Sequence, residues 1–79
     1  MILGARIEIN PRVIHGRPVI KGTRIPVGLI LGYLAGGLMV EEILAEYPTL
    51  TREDVLACLE YASYVVDNEE VFELAPVVA

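Results

Sequence analysis

From Arg6 to Ile9 polar and apolar residues alternate, the period of a half-buried strand, and Asn10-Pro11 breaks the pattern. Beyond it the apolar pairs Val13-Ile14 and Val19-Ile20 sit among His15, Gly16, Pro18, Gly22 and Thr23. Residues 6–25 therefore read as short strands with tight turns, with Gly16 and Gly22 supplying backbone angles that other residues resist. At Pro26 the period changes. Proline suits the first turn of a helix, and Val27, Ile30, Leu31, Leu34, Ala35 and Leu38 follow at the spacing of one apolar stripe. The spacing predicts a helix over 27–35, ended by Gly36-Gly37. Glu41 and Glu42 open a second, short helix, with Ile43, Leu44 and Tyr47 inward and Pro48 as its stop. Thr51 is the expected N-cap of a third helix, with Asp54 three residues on. Its expected inward stripe is Val55, Leu59, Ala62 and Val66, with Leu56 alongside. Arg52, Glu53, Ala57, Glu60, Tyr61 and Tyr64 are expected to face outward.

The fold class is thus mostly α with a short N-terminal β segment, a trihelical bundle. Its second and third helices, joined by Pro48-Thr49-Leu50, form a helix-turn-helix corner. Residues 1–66 make one domain, since 79 residues leave no room for a second core. Residues 67–79 form an acidic C-terminal extension in which Glu69, Glu70 and Glu73 alternate with Val71, Phe72 and Leu74.

Composition adds constraints. A hydrophobic fraction of 54% excludes intrinsic disorder. On so small a domain the apolar excess implies burial against a partner, and a homodimer is the simplest one. The single cysteine, Cys58, excludes a disulfide within the chain and points to a reduced cytoplasm. Residues 1–5 are too short for a signal peptide, and the longest uncharged run, 16 residues between Arg24 and Glu41, is too short and too glycine-rich for a membrane span. A soluble cytoplasmic protein is expected. The net charge of −5 is unevenly laid out: residues 1–26 carry five cations against one acid, and residues 27–79 one cation against ten acids. Such asymmetry reports partners more than fold.

Catalytic chemistry finds little to work with. One His and one Cys make no zinc site. No GxSxG surrounds a serine, and Lys21-Gly22-Thr23 lacks the leading glycine of a phosphate loop. The adjacent acids Glu41-Glu42 and Glu69-Glu70 point apart on a helix. No catalytic, cofactor or metal residue is expected, and the chain does not read as an enzyme. Gly28, Gly32 and Gly36 recur every four residues; they either receive the β segment or a dimer mate, or form a tolerated exposed face. The third helix, with one arginine among several acids, suits DNA poorly. Tyr61 and Tyr64 suit a protein contact, and any DNA contact falls to the arm through Arg12, Arg17 and Lys21.

The string Gly16-Arg17-Pro18-Val19-Ile20-Lys21-Gly22-Thr23-Arg24-Ile25-Pro26-Val27, with Gly36-Gly37, Glu41-Glu42-Ile43-Leu44, Tyr47-Pro48-Thr49-Leu50 and Leu59-Glu60-Tyr61-Ala62, closely resembles the small prokaryotic family known as domain of unknown function 433, over residues 6–66. The resemblance implies a homeodomain-like helix-turn-helix unit preceded by short strands. It also implies an antitoxin of a type II toxin–antitoxin pair, similar to the VapB class, that silences a PIN-like ribonuclease and represses its own operator. Gly16, Pro18, Gly22, Thr23, Arg24 and Pro26 would then be architectural positions. Two departures stand out: Met39-Val40 where a capping side chain is usual, and glycines in the first helix where polar residues are usual. In this reading Phe72 and Leu74 dock on the toxin as part of an amphipathic tail. The alternatives are a stand-alone DNA-binding regulator that uses the basic arm, and a structural dimerisation module.

Overall fold

The alternation at the amino end becomes an antiparallel ribbon of β1 (Ile7–Ile9) and β2 (Pro18–Ile20) in the computed structural model, which describes residues 6–12 and 14–68. Ile7 pairs with Ile20, Glu8 with Val19 and Ile9 with Pro18. Pro18 stands at the first position of its strand, where a missing N–H is tolerated. Before β2 the chain turns through left-handed backbone at Ile14 (φ 48°), His15 (φ 54°) and Gly16 (φ 80°). The glycine adopts this region freely, whereas a β-branched residue held there costs on the order of 1–3 kcal/mol. The turn expected around His15 and Gly16 therefore extends one residue further back, to Ile14, whose side chain gives no hint of it.

After β2 a second turn sends the chain back across its own strand. Gly22 takes φ 81°. The Thr23 hydroxyl donates to the Ile20 carbonyl at 2.7 Å and accepts the Ile25 N–H at 2.9 Å. The Ile20 N–H donates to the Ile25 carbonyl at 3.0 Å, and Val19 and Pro26 form an antiparallel bridge. Pro26 is extended (φ −68°, ψ 142°) and stands just before α1 (Val27–Ala35), as the N-cap and not inside the first turn. Gly37 (φ 98°) ends that helix: its N–H donates to the Leu34 carbonyl and the Leu38 N–H to the Tyr33 carbonyl, both at 3.0 Å. These two bonds are those of a Schellman cap.

Met39 gives α2 (Val40–Glu46) no side-chain cap, but Glu42 reaches back to accept the Met39 N–H at 2.7 Å. Thr51 caps α3 (Arg52–Asp67) in a reciprocal box. Its hydroxyl accepts the Asp54 N–H at 3.3 Å, and the Asp54 carboxylate accepts the Thr51 N–H at 2.9 Å. All three helices and β2 meet in one core of Ile20, Val27, Ile30, Ile43, Leu50, Val55 and Cys58. Each aliphatic side chain hidden there contributes about 1.5–3 kcal/mol. Leu31, Leu34, Leu38, Leu44 and Tyr47 pack around it as expected, while Ala35 is exposed.

The inward face of α3 differs from the expected stripe. Asp54, Val55, Ala57 and Cys58 are the buried residues, Tyr61 is half-buried against the core, and Leu56, Leu59 and Val66 are exposed. Ala57 and Tyr61, expected outward, are thus turned in, and Leu59 and Val66, expected inward, are turned out. The second carboxylate oxygen of Asp54 accepts a 3.0 Å hydrogen bond from the Arg6 guanidinium, beside β1. That ion pair lies on the same side of α3 as Val55 and Cys58, which enter the core, so the buried side combines a polar contact to the ribbon with apolar packing.

The glycine stripe of α1 does not receive the β segment. A Cβ built at Gly28 or Gly32 would meet nothing within 4 Å, and α1 faces the ribbon with Val27 and Ile30 instead. Among the described residues no helix is long and apolar enough to cross a membrane. Because the space around Gly32 is open and its backbone helical, Gly32→Ala is expected to raise stability by about 0.5–1 kcal/mol. Thermal unfolding followed by circular dichroism measures this, and a lower melting temperature would contradict the open face.

Candidate functional site

α3 is longer than the core it serves. Its buried positions end at Cys58, residues 60–62 are half-buried, and from Ser63 to Asp67 every residue is exposed. This projecting end carries Tyr64, Val65 and Val66, of which Val66 is 68% exposed. Leu56 and Leu59 continue the apolar surface back along the helix, and three- and seven-residue spacings place them on the same side as Val66. A helix end without packing gains little from propensity alone, since most helical stability in proteins comes from tertiary burial. The arrangement suits helix-in-groove recognition, in which an apolar helix face enters a partner's cleft.

Charge is segregated around this surface. Glu41, Glu42, Glu46 and Glu53 are exposed on α2 and the start of α3. Arg12, Arg17, Lys21 and Arg24 are exposed in the segment before α1, with no ion-pair partner among the described residues. They do not form one cluster. Arg12 and Arg17 flank the left-handed turn before β2, while Lys21 and Arg24 follow β2, roughly 13 Å further along at strand rise.

Of the remaining candidates, Tyr64 is exposed, whereas Tyr61 is half-buried and lines a groove between α1 and the segment leading into β2. Gly16, Gly22, Thr23 and Pro26 hold the two turns, Pro18 starts β2, and Arg24 makes no hydrogen bond or ion pair among the described residues. Phe72 and Leu74 lie outside the described residues. Leu59 and Val66 are the surface residues that spacing misassigned to the core. The available signal was that α3 carries more apolar residues than one inward stripe can hold.

Cys58 is fully buried. Burial, and after it the charge of Asp54, pushes its thiol up to about 11, so it is neither a thiolate nucleophile nor a ready metal ligand at neutral pH. The Tyr33 and Tyr47 hydroxyls meet at 3.2 Å, joining α1 to the end of α2. That bond is the main cause of a raised Tyr47 pKa. Among the described residues no group of three His, Cys, Asp or Glu side chains converges in a way that could hold a metal ion.

A family model described as "Protein of unknown function (DUF433)" matches residues 7–62. Its match stops where α3 leaves the core. The uncharacterized protein y4eO of Sinorhizobium fredii (strain NBRC 101917 / NGR234) is 36% identical over 56 residues, which are 71% of this chain and 25% of that protein. The chain therefore spans about a quarter of the length of this curated relative. A crystal structure of a DUF433 member protein from Anabaena variabilis ATCC 29413 is similar with a TM-score of 0.75 and 38% identity, covering 84% of this chain and 65% of that one.

The buried thiol makes a checkable statement about pH. Its folded pKa lies above the usual 9.0, so the protonated thiol's contribution is complete below pH 9 and is lost as pH rises from about 9 toward about 11. Urea unfolding at pH 8 and 10.5 is expected to show this loss, and Cys58→Ala to reduce the slope while leaving the part due to Tyr47. An equal pH slope in Cys58→Ala, or rapid labelling of the native thiol at pH 8, would contradict the buried site.

Proposed function

We propose that this chain, which belongs to the DUF433 family, works by binding another protein, as the antitoxin of a type II toxin–antitoxin pair whose toxin is a PIN-like ribonuclease. The observation that carries the reading is the projecting end of α3, with Tyr64, Val65 and Val66 exposed beyond the core and Leu56 and Leu59 beside them. Burying such side chains in a partner's groove supplies binding energy and orders the helix end at once. The antitoxin role itself follows from the motif resemblance. No catalytic residue has a part in it: silencing here is occupation of the nuclease surface by the helix.

A second role, contact with operator DNA, draws on the four exposed cations Arg12, Arg17, Lys21 and Arg24. Their division between the two ends of β2 suits contacts to separated phosphates, and a homodimer would double them. The acidic α2 and α3 surfaces disfavour DNA on the rest of the chain, so protein binding is the primary reading.

The test is affinity purification of the tagged chain from its own host, with mass spectrometry of what co-elutes. A PIN-like nuclease at near-equal amount is the expected result. Leu59→Asp and Val66→Asp are expected to reduce its recovery tenfold or more while changing stability by no more than about 0.5 kcal/mol, as surface substitutions do. Recovery of the chain alone, or unchanged capture by both variants, would overturn the reading.

A further inference from the structure

The start of α1, Tyr61 of α3 and the segment leading into β2 line a groove of about 480 Å³. Pro18, Pro26, Leu29, Leu31 and Tyr61 give it an apolar lining. Its polar character is one-sided. Arg17 is the single charged residue of the lining, exposed and without an ion-pair partner among the described residues. Pro26 gives α1 no side-chain cap, and the first turn carries no acidic residue, so the helix end beside the groove is uncompensated toward negative charge. An arginine opposite an apolar wall calls for an occupant with a bulky apolar side chain next to a carboxylate.

Gly28 supplies an independent argument. It lines the groove from within α1, its backbone is helical, and a Cβ there would meet nothing within 4 Å. The fold therefore has no steric need for glycine at this position. Its absent side chain leaves the groove wall open to close approach by another chain.

We infer that this groove is a second protein-binding surface, which takes an acidic peptide segment of a partner by its apolar side chain, with Arg17 receiving the adjacent carboxylate. The inference rests on the reading of the chain as a protein-binding module, and adds the chemistry of what it binds at a groove to which α3 contributes Tyr61 alone.

The probe is a terminally blocked peptide, Glu-Glu-Phe-Glu-Leu, titrated into the full-length nitrogen-15-labelled chain and followed by amide chemical shifts. Saturable shifts at Arg17, Gly28, Leu29, Leu31 and Tyr61 are expected. Replacing the three glutamates of the peptide by glutamine, or Arg17→Gln in the chain, is expected to weaken binding about threefold to fivefold, the range of an exposed ion pair. Gly28→Met, which projects into the groove, is expected to remove the response while melting no lower than the parent chain. Four results would overturn the inference. They are no shifts at these residues, equal binding of the glutamine peptide, tighter occupation of the same residues by duplex DNA than by the peptide, and shifts at the groove that appear on raising the concentration of the chain alone, which would mark it as a contact between copies. If the peptide fails while the nuclease is still captured through α3, the groove inference falls and the proposed function stands. If the peptide binds and no nuclease is captured, the reverse holds.

Discussion

The turn from Ile20 to Pro26 is the constraint on which the rest of the structure depends. Glycine at position 22 accepts left-handed backbone, and the Thr23 hydroxyl serves as donor to Ile20 and acceptor from Ile25 in the same turn. The chain thereby folds back until Val19 bridges Pro26, which places the first residue of α1 beside the buried strand. Val19, Ile20, Val27 and Ile30 are brought together within a dozen residues of sequence. Local contacts of this kind need little loop-closure entropy, and α2 and α3 complete the core with Ile43, Val55 and Cys58.

A second constraint is longer in range. Asp54 closes the cap of α3 with one oxygen and holds Arg6 with the other, so a single carboxylate starts a helix and ties it to the ribbon. It is 9% exposed, and an ion pair there gains more from its additional hydrogen bond to the Thr51 N–H than from Coulomb attraction alone. The residue lies on the side of α3 that faces inward, away from Leu56, Leu59 and Val66, which are exposed.

Much of this was legible in the sequence, for reasons that differ by element. The bounds of α1 followed from a proline, a clean apolar stripe and a glycine pair, all local signals. The cap at Thr51 was equally local. The inward face of α3 was not legible, because apolar residues lie on more than one side of that helix and its polar contact to the ribbon joins residues 48 apart in sequence. His15 was readable as a turn residue, but Ile14 was missed because nothing in a β-branched side chain announces left-handed backbone. The importance of Arg17 to a groove was legible only as charge; its neighbours Leu29 and Tyr61 come from two different helices, and only the tertiary fold assembles them.

The proposal on which the functional reading turns is that the exposed side of α3 is the surface that meets a partner protein. Cross-saturation transfer from the unlabelled PIN-like nuclease to the methyl-labelled chain tests it most directly. The account predicts saturation of the Leu56, Leu59, Val65 and Val66 methyls and none at Ile20, Ile30 or Ile43. Saturation confined to residues of the ribbon, with the α3 methyls unaffected in a stable complex, would contradict it.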